Sequence, residues 1–260
     1  MLGAIAGDII GSPFEFSPIK STHFPLLSAD STFTDDTVLT IAVADAAMHD
    51  LNPVDTLKDY FSRYPERGYG GSFARWARSE RSKPYNSWGN GSAMRTSSIG
   101  WLFNSKAEVL HRAKAYAEIT HNHSEGIRGA QATALAILMA RQRATKAQIQ
   151  REISAWFHYN LDKPVDAIRE TYIFDVSCQG SVPQSIICFL ESDSYDQAVR
   201  LAVSLGGDAD TMACIAGGIA EAFYGFIPEY IAEETRARLP GEFLSVLDEF
   251  APQIRKIKPA

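Results

Sequence analysis

Apolar residues recur at helical spacing over long stretches of this chain and almost nowhere alternate with period two. Val38, Ile41, Ala42 and Ala46 follow one another on a 3.6-residue period, with Ala, Val and Leu filling the inner face. Gln131–Arg141 is rich in Ala, Leu and Met, which are good helix formers, and Gln197–Leu205, Met212–Tyr224 and Phe243–Phe250 read the same way. β-Branched residues are scattered. These patterns predict an all-α fold of on the order of a dozen helices. Breaks are expected at Pro18–Pro25, Ser79–Ser92, Asn160–Pro164 and Cys178–Pro183. None is long or polar enough for an interdomain linker, so residues 1–260 read as a single compact multi-helix domain.

Several function classes drop out on composition. No uncharged apolar run reaches the ~20 residues of a spanning helix; the most apolar stretches, Ala132–Ala140 and Met212–Phe226, are interrupted by Thr133 and by Glu221. Met1–Gly11 has no basic n-region and meets Asp8 early, unlike a secretory signal. Three cysteines, Cys178, Cys188 and Cys214, are too few and too dispersed for a disulfide framework or a thiolate metal site, and a cytoplasmic location is expected. With 25 Lys+Arg against 31 Asp+Glu the net charge is −6, which argues against nucleic acid as the main partner.

Two short segments share a pattern. Thr34-Asp35-Asp36-Thr37 and Asp208-Ala209-Asp210-Thr211 each set two acids beside a threonine at the mouth of an apolar helix. Either one alone is explained by capping, because Asp and Thr oxygens accept the free N–H groups of a helix start and the helix dipole favours negative charge there. Capping needs only one such side chain, however, and each segment supplies two acids plus a hydroxyl. Gly206-Gly207 lets the backbone fold closely around the second cluster. If the two mouths meet, four carboxylates share one site, and each pair about 4 Å apart repels by roughly 4 kcal/mol at an effective dielectric near 20. Cations between them would relieve that repulsion. Oxygen donors without sulfur or imidazole favour Mg²⁺ or Mn²⁺ over Zn²⁺, and four acids match the charge of two divalent ions. Spacing alone leaves open whether the mouths meet.

Gly7-Asp8-x-x-Gly11 followed by Glu15, then Thr34-Asp35-Asp36-Thr37, Gly89-Asn90-Gly91-x-x-Met94-Arg95, Thr120-His121 and Gly206-Gly207-Asp208-x-Asp210-Thr211, resemble the ADP-ribosylglycohydrolase family. Five motifs in family order span most of the chain. The resemblance implies an all-α fold with two Mg²⁺ or Mn²⁺ ions at the bottom of a cleft, held by Thr34, Asp35 and Asp36 from one segment and Asp208, Asp210 and Thr211 from the other. It also implies an ADP-ribosylated protein or small-molecule substrate, whose distal ribose is positioned at the metals while the N- or O-glycosidic bond to the acceptor breaks. Arginine is the expected acceptor, with serine or another acceptor as the alternative. A silent ADP-ribose-binding module would have lost metal acids, and all six ligand positions are kept. A two-metal phosphoesterase would mix in histidines, and none adjoins either cluster.

Breaking an anomeric bond passes through an oxocarbenium-like state and needs ribose positioning, an activated water and help for the leaving group. Asp36 is expected to act both as metal ligand and as acceptor of the water proton, against the plainer reading of a ligand alone. Glu15 follows Pro13-Phe14 in a segment too irregular for a regular helix; the resemblance assigns it to the metal or the scissile bond. Ser87, Gly89, Asn90, Gly91 and Ser92, ahead of a helix expected from Ala93, offer approachable backbone N–H groups for a pyrophosphate. Alone, Gly-Asn-Gly is a turn. Trp88 either stacks on adenine or packs. His121 is implied as a nucleotide-side contact; His123, two residues on, does not share a helix face with it. The stretch 63–83 carries six basic residues with Tyr64, Tyr69, Phe73 and Trp76 between them. It reads equally as an anion-receiving segment or as a solvated face with its aromatics in the core.

Overall fold

The computed structural model describes residues 1–80 and 83–256, so Arg81, one of the six cations just counted, lies outside the described residues. Among the described residues, fifteen α-helices and one 3-10 turn make up the regular structure. In order they are α1 (Leu2–Gly11), α2 (Asp35–His49), α3 (Pro53–Arg63), α4 (Gly71–Arg78), α5 (Gly91–Met94), α6 (Ser97–Leu102), α7 (Lys106–Glu118) and α8 (Ser124–Arg141). Then follow α9 (Lys146–Phe157), α10 (Val165–Thr171), α11 (Cys178–Glu191), α12 (Tyr195–Ser204), α13 (Ala209–Tyr224), α14 (Glu229–Ala237) and α15 (Gly241–Lys256). Among the described residues no strand forms; Gly89 and Ser177 make one isolated antiparallel bridge. The expected all-α architecture is what the chain adopts, and no helix is long and apolar enough to cross a membrane among the described residues.

The helices that read as apolar on all sides are the central ones. In α13 every residue from Ala209 to Ala220 is buried, and α2 and α8 are nearly as enclosed. Around them stand amphipathic helices such as α3 and α12, which turn one face inward. Most tightly joined are α1 and α13. A Cβ on Gly7 would lie 2.1 Å from the Ala213 carbonyl oxygen, one on Gly11 2.4 Å from that of Ala209, and one on Gly217 2.5 Å from that of Gly3. Residue numbers rise on one helix as they fall on the other, so the pair is antiparallel and backbone touches backbone along the seam. That register carries the C-terminal end of α1, with Glu15 just beyond it, to the acidic N-terminus of α13.

One break was misplaced. Cys178–Pro183, expected as a break, is the start of α11, which contains Pro183. Ser177 caps the helix through a hydrogen bond from the Gly180 N–H, and Ser181 and Ser185 hydroxyls bond back to the Ser177 and Ser181 carbonyls. A proline removes only one donor from a helix held this way, and the chain turns earlier, over 172–177. The helix expected from Ala93 is also interrupted, into the short α5 and α6.

Candidate active site

Asp8, on α1, is fully buried and reaches across to the start of α2. Its carboxylate accepts from the Thr34 N–H at 3.0 Å, the Thr34 hydroxyl at 2.7 Å, the Thr37 N–H at 3.1 Å and the Thr37 hydroxyl. Thr34 is the N-cap of α2 and accepts from the Asp36 N–H at 3.2 Å, which leaves its oxygen one lone pair. The first acidic mouth is therefore fixed to α1, and α1 is fixed to α13.

The second mouth is shaped by its two glycines. Gly206 has φ +65°, and a Cβ on Gly207 would stand 2.3 Å from the Tyr172 ring. Lys20 bonds the Leu205 carbonyl and the Tyr172 carbonyl, tying this turn to its neighbours. The two mouths then meet: Thr211 Oγ1 donates to Asp36 Oδ1 at 3.3 Å. Glu15, Asp208 and Asp210 each place a carboxylate oxygen within 4.8 Å of the other two. Spacing had left this convergence open.

Five of the six residues that the resemblance assigned to metal stand around one cleft of about 440 Å³: Asp35, Asp36, Asp208, Asp210 and Thr211, with Glu15 beside them. Thr34 sits behind the wall, between Asp8 and Asp36. Of the expected nucleotide contacts, Ser87, Gly89, Asn90, Gly91 and His121 line the same cleft, together with Trp88. Ser92 does not. Its side chain is wholly buried and donates to the Gly126 carbonyl at 2.7 Å, so it shapes the loop from behind. Asn90 crosses the cleft and donates from Nδ2 to Asp208 at 2.6 Å.

The acids gather at one side of the cleft, and Arg95 lines it from the side of the Gly89–Gly91 loop. Among the described residues no lysine or arginine pairs with Asp8, Glu15, Asp35, Asp36, Asp208 or Asp210 in a salt bridge. Burial followed by the Asp210 and Asp8 charges raises Glu15 to about 8. Burial raises Asp8 and Asp208 to about 6, with hydrogen bonds from Thr37 and Thr34 and from Asn90 holding them down. Asp35, Asp36 and Asp210 are pushed well above the usual carboxylate range, first by burial and then by their acidic neighbours. Asp36 Oδ2 is buried without a hydrogen-bond partner. Crowded carboxylates, an orphaned oxygen and an all-oxygen donor set are what a hard divalent cation requires.

Sequence reasoning missed three contributors. Asp8 was visible only as part of a motif. The loop at Ser87–Gly91 is held by the strand-like segment before α11, through Asn90 N–H to the Val176 carbonyl at 2.8 Å and Cys178 N–H to the Trp88 carbonyl at 2.9 Å. Arg95, fully buried below the same loop, donates to the Thr120 hydroxyl and the Tyr116 carbonyl. By contrast the basic aromatic stretch is mostly packing: Tyr69 stacks on Phe73, Tyr64 leans on Phe243, and Arg63 pairs with Asp59 and Glu242. His123 is the N-cap of α8, accepting from the Glu125 N–H at 3.1 Å.

A sequence model of the ADP-ribosylglycohydrolase family matches residues 1–258. The chain belongs to the ADP-ribosylglycohydrolase family. Its relatives include the ADP-ribosylhydrolase ARH3 of Mus musculus, 25% identical over 311 aligned residues covering 88% of this chain and 84% of that protein. The ADP-ribosylarginine hydrolase Tri1 of Pseudomonas putida is 22% identical, over 99% of this chain and 79% of that one. A solved chain titled ADP-ribosylglycohydrolase-related protein complex shares the fold, with TM-score 0.71 and 24% identity over 94% of this chain and 95% of that one. Like other ADP-ribosylglycohydrolases, the chain is an enzyme that acts on a glycosidic bond.

Proposed function

We propose that this ADP-ribosylglycohydrolase releases ADP-ribose from a modified arginine side chain of a protein or small molecule, with two Mg²⁺ or Mn²⁺ ions held by Thr34, Asp35, Asp36, Asp208, Asp210 and Thr211. The observation that carries the reading is the single cleft in which both acidic helix mouths and Glu15 face the Gly89–Gly91 loop. When bound, divalent ions at these acids supply charge neutralisation, grip on ribose hydroxyls and easier deprotonation of water.

The chain's own residues do the remainder. The Gly91 N–H at the start of α5 and the His121 ring bind the pyrophosphate end, since the N–H groups of Ser87, Gly89 and Asn90 are taken by the Thr120 carbonyl, the Ser87 hydroxyl and the Val176 carbonyl. Trp88, 48% exposed at the rim, is the aromatic surface available to adenine. Asn90 orients Asp208. Asp36, with its partnerless Oδ2, is placed to take a proton from the attacking water. Glu15, whose carboxyl is raised in the metal-free protein by burial and by the Asp210 and Asp8 charges, is placed to assist departure of the acceptor. In favour of arginine as the acceptor, one relative is named for ADP-ribosylarginine.

The test is turnover of ADP-ribosyl-arginine and ADP-ribosyl-serine peptides in Mg²⁺, Mn²⁺ or chelator. Release from the arginine peptide that needs metal is the expected result. Release from the serine peptide alone would overturn the acceptor assignment, and tight ADP-ribose binding without release from either peptide would overturn the catalytic one.

A further inference from the structure

His121 lies against the Gly89–Gly91 turn: a Cβ on Gly91 would be 3.4 Å from its Nε2, and one on Gly89 3.7 Å. Its other ring nitrogen, Nδ1, is 2.7 Å from the Thr120 hydroxyl. Arg95, the C-cap of α5, donates from Nη2 to that same hydroxyl at 2.9 Å and to the Tyr116 carbonyl at 3.0 Å. A guanidinium has donors only, so Arg95 occupies one lone pair of Thr120 Oγ1 and leaves the threonine its own proton to give. Two acceptors adjoin that proton, His121 Nδ1 and the Tyr85 hydroxyl. A cation bonded to Oγ1 draws electron density from it and makes its O–H a stronger donor, and a neutral imidazole nitrogen is the better acceptor of the two.

We infer that Arg95 and Thr120 fix His121 as a neutral imidazole carrying its proton on Nε2, so that this N–H is aimed at an anionic group seated on the Gly89–Gly91 turn. The opposite tautomer would turn a lone pair toward the anion. Burial, and then the charge of Arg95, hold His121 well below the ordinary histidine range, so the ring stays a neutral donor through the neutral pH range. Arg95 and Thr120 touch no ligand in this scheme; they are positioning residues. The identity of the anion, the pyrophosphate of ADP-ribose, rests on the function proposed above, whereas the tautomer does not.

Imidazole ¹⁵N resonances of the metal-free, ligand-free protein, with His121 assigned by its loss in His121→Gln, read the tautomer directly. The expected spectrum has a pyridine-like Nδ1 and a pyrrole-like Nε2 in the wild type and in Tyr85→Phe. Thr120→Val shifts it toward the Nδ1–H form and Thr120→Ser restores it. ADP-ribose binding then weakens about tenfold in Thr120→Val and recovers in Thr120→Ser, the size expected for one charge-assisted hydrogen bond. A pyrrole-like Nδ1 in the wild type, or a Thr120→Val protein with unchanged spectrum and affinity, overturns the inference. The expected tautomers together with no ADP-ribose binding by the wild type would support the relay and overturn the assigned ligand.

Discussion

Asp8 works wholly inside the protein, with four donors from Thr34 and Thr37 converging on its two oxygens. Asp8→Asn turns one of those oxygens into an NH₂ group facing donors, so it should destabilise the fold by about 3 kcal/mol. It should also weaken Mn²⁺ binding by loosening Thr34 and Asp36; denaturant melts and calorimetric titration read the two effects separately. Glu15 makes no comparable framework. Glu15→Gln keeps the shape but has no proton to transfer, and it should lower kcat by ~100-fold while ADP-ribose affinity stays near wild type. Loss of binding with normal turnover of bound substrate would leave Glu15 a structural residue. At this scale residue type alone drew notice only to the doubled acids, Asp35-Asp36 and Asp208-x-Asp210, more than capping needs; Glu15 and the Gly89–Gly91 loop were singled out by the resemblance. Asp8 and Arg95 were not legible in those terms, since what each does depends on partners 26 and 25 residues away along the chain.

Helix α13 was legible from its Ala- and Gly-rich run, yet its pairing with α1 was not. Periodicity assigns a buried face to each helix separately; it does not state which helix covers which. The matched small residues Gly3, Gly7 and Gly11 against Gly217, Ala213 and Ala209 become a signal only once the antiparallel register is known. Gly11→Ala puts a methyl carbon against the Ala209 carbonyl, and it should cost about 3 kcal/mol and reduce metal affinity, because the seam must open at the acidic end. Gly241→Ala, where a Cβ meets nothing within 4 Å at the start of α15, is the control and should leave thermal stability within about 1 kcal/mol of wild type. Equal melting temperatures for the two variants would show that close α1–α13 contact does not hold the site. The start of α11 was misread for a local reason: Pro183 suggests a break, and capping by Ser177, which accepts from the Gly180 N–H, starts the helix ahead of it.

Across the whole molecule the acid cluster couples folding to pH. Glu15 is raised to about 8, and Asp8 and Asp208 to about 6, above the 4.5 and 3.8 of free carboxyls. The folded state therefore binds more protons than the unfolded state between roughly pH 4 and pH 8, and its stability must fall as pH rises through that window. In chelator, Tm should drop steadily from pH 5 to pH 8. Saturating Mg²⁺ should flatten the profile, since the ion binds the ionised folded form. A metal-free protein whose Tm rises across that range would contradict the burial of these acids. Long-range convergence of this kind is invisible in any one segment, which is why the resemblance, and not spacing, supplied it at the sequence level.

The claim on which the rest depends is that divalent ions sit between the mouths of α2 and α13. An anomalous-difference map recorded at the manganese edge, from crystals grown in saturating Mn²⁺, tests it most directly. Two peaks within ligand distance of Asp35, Asp36, Asp208 and Asp210 are the expected result; a map without density there, or with manganese bound only elsewhere, would contradict it.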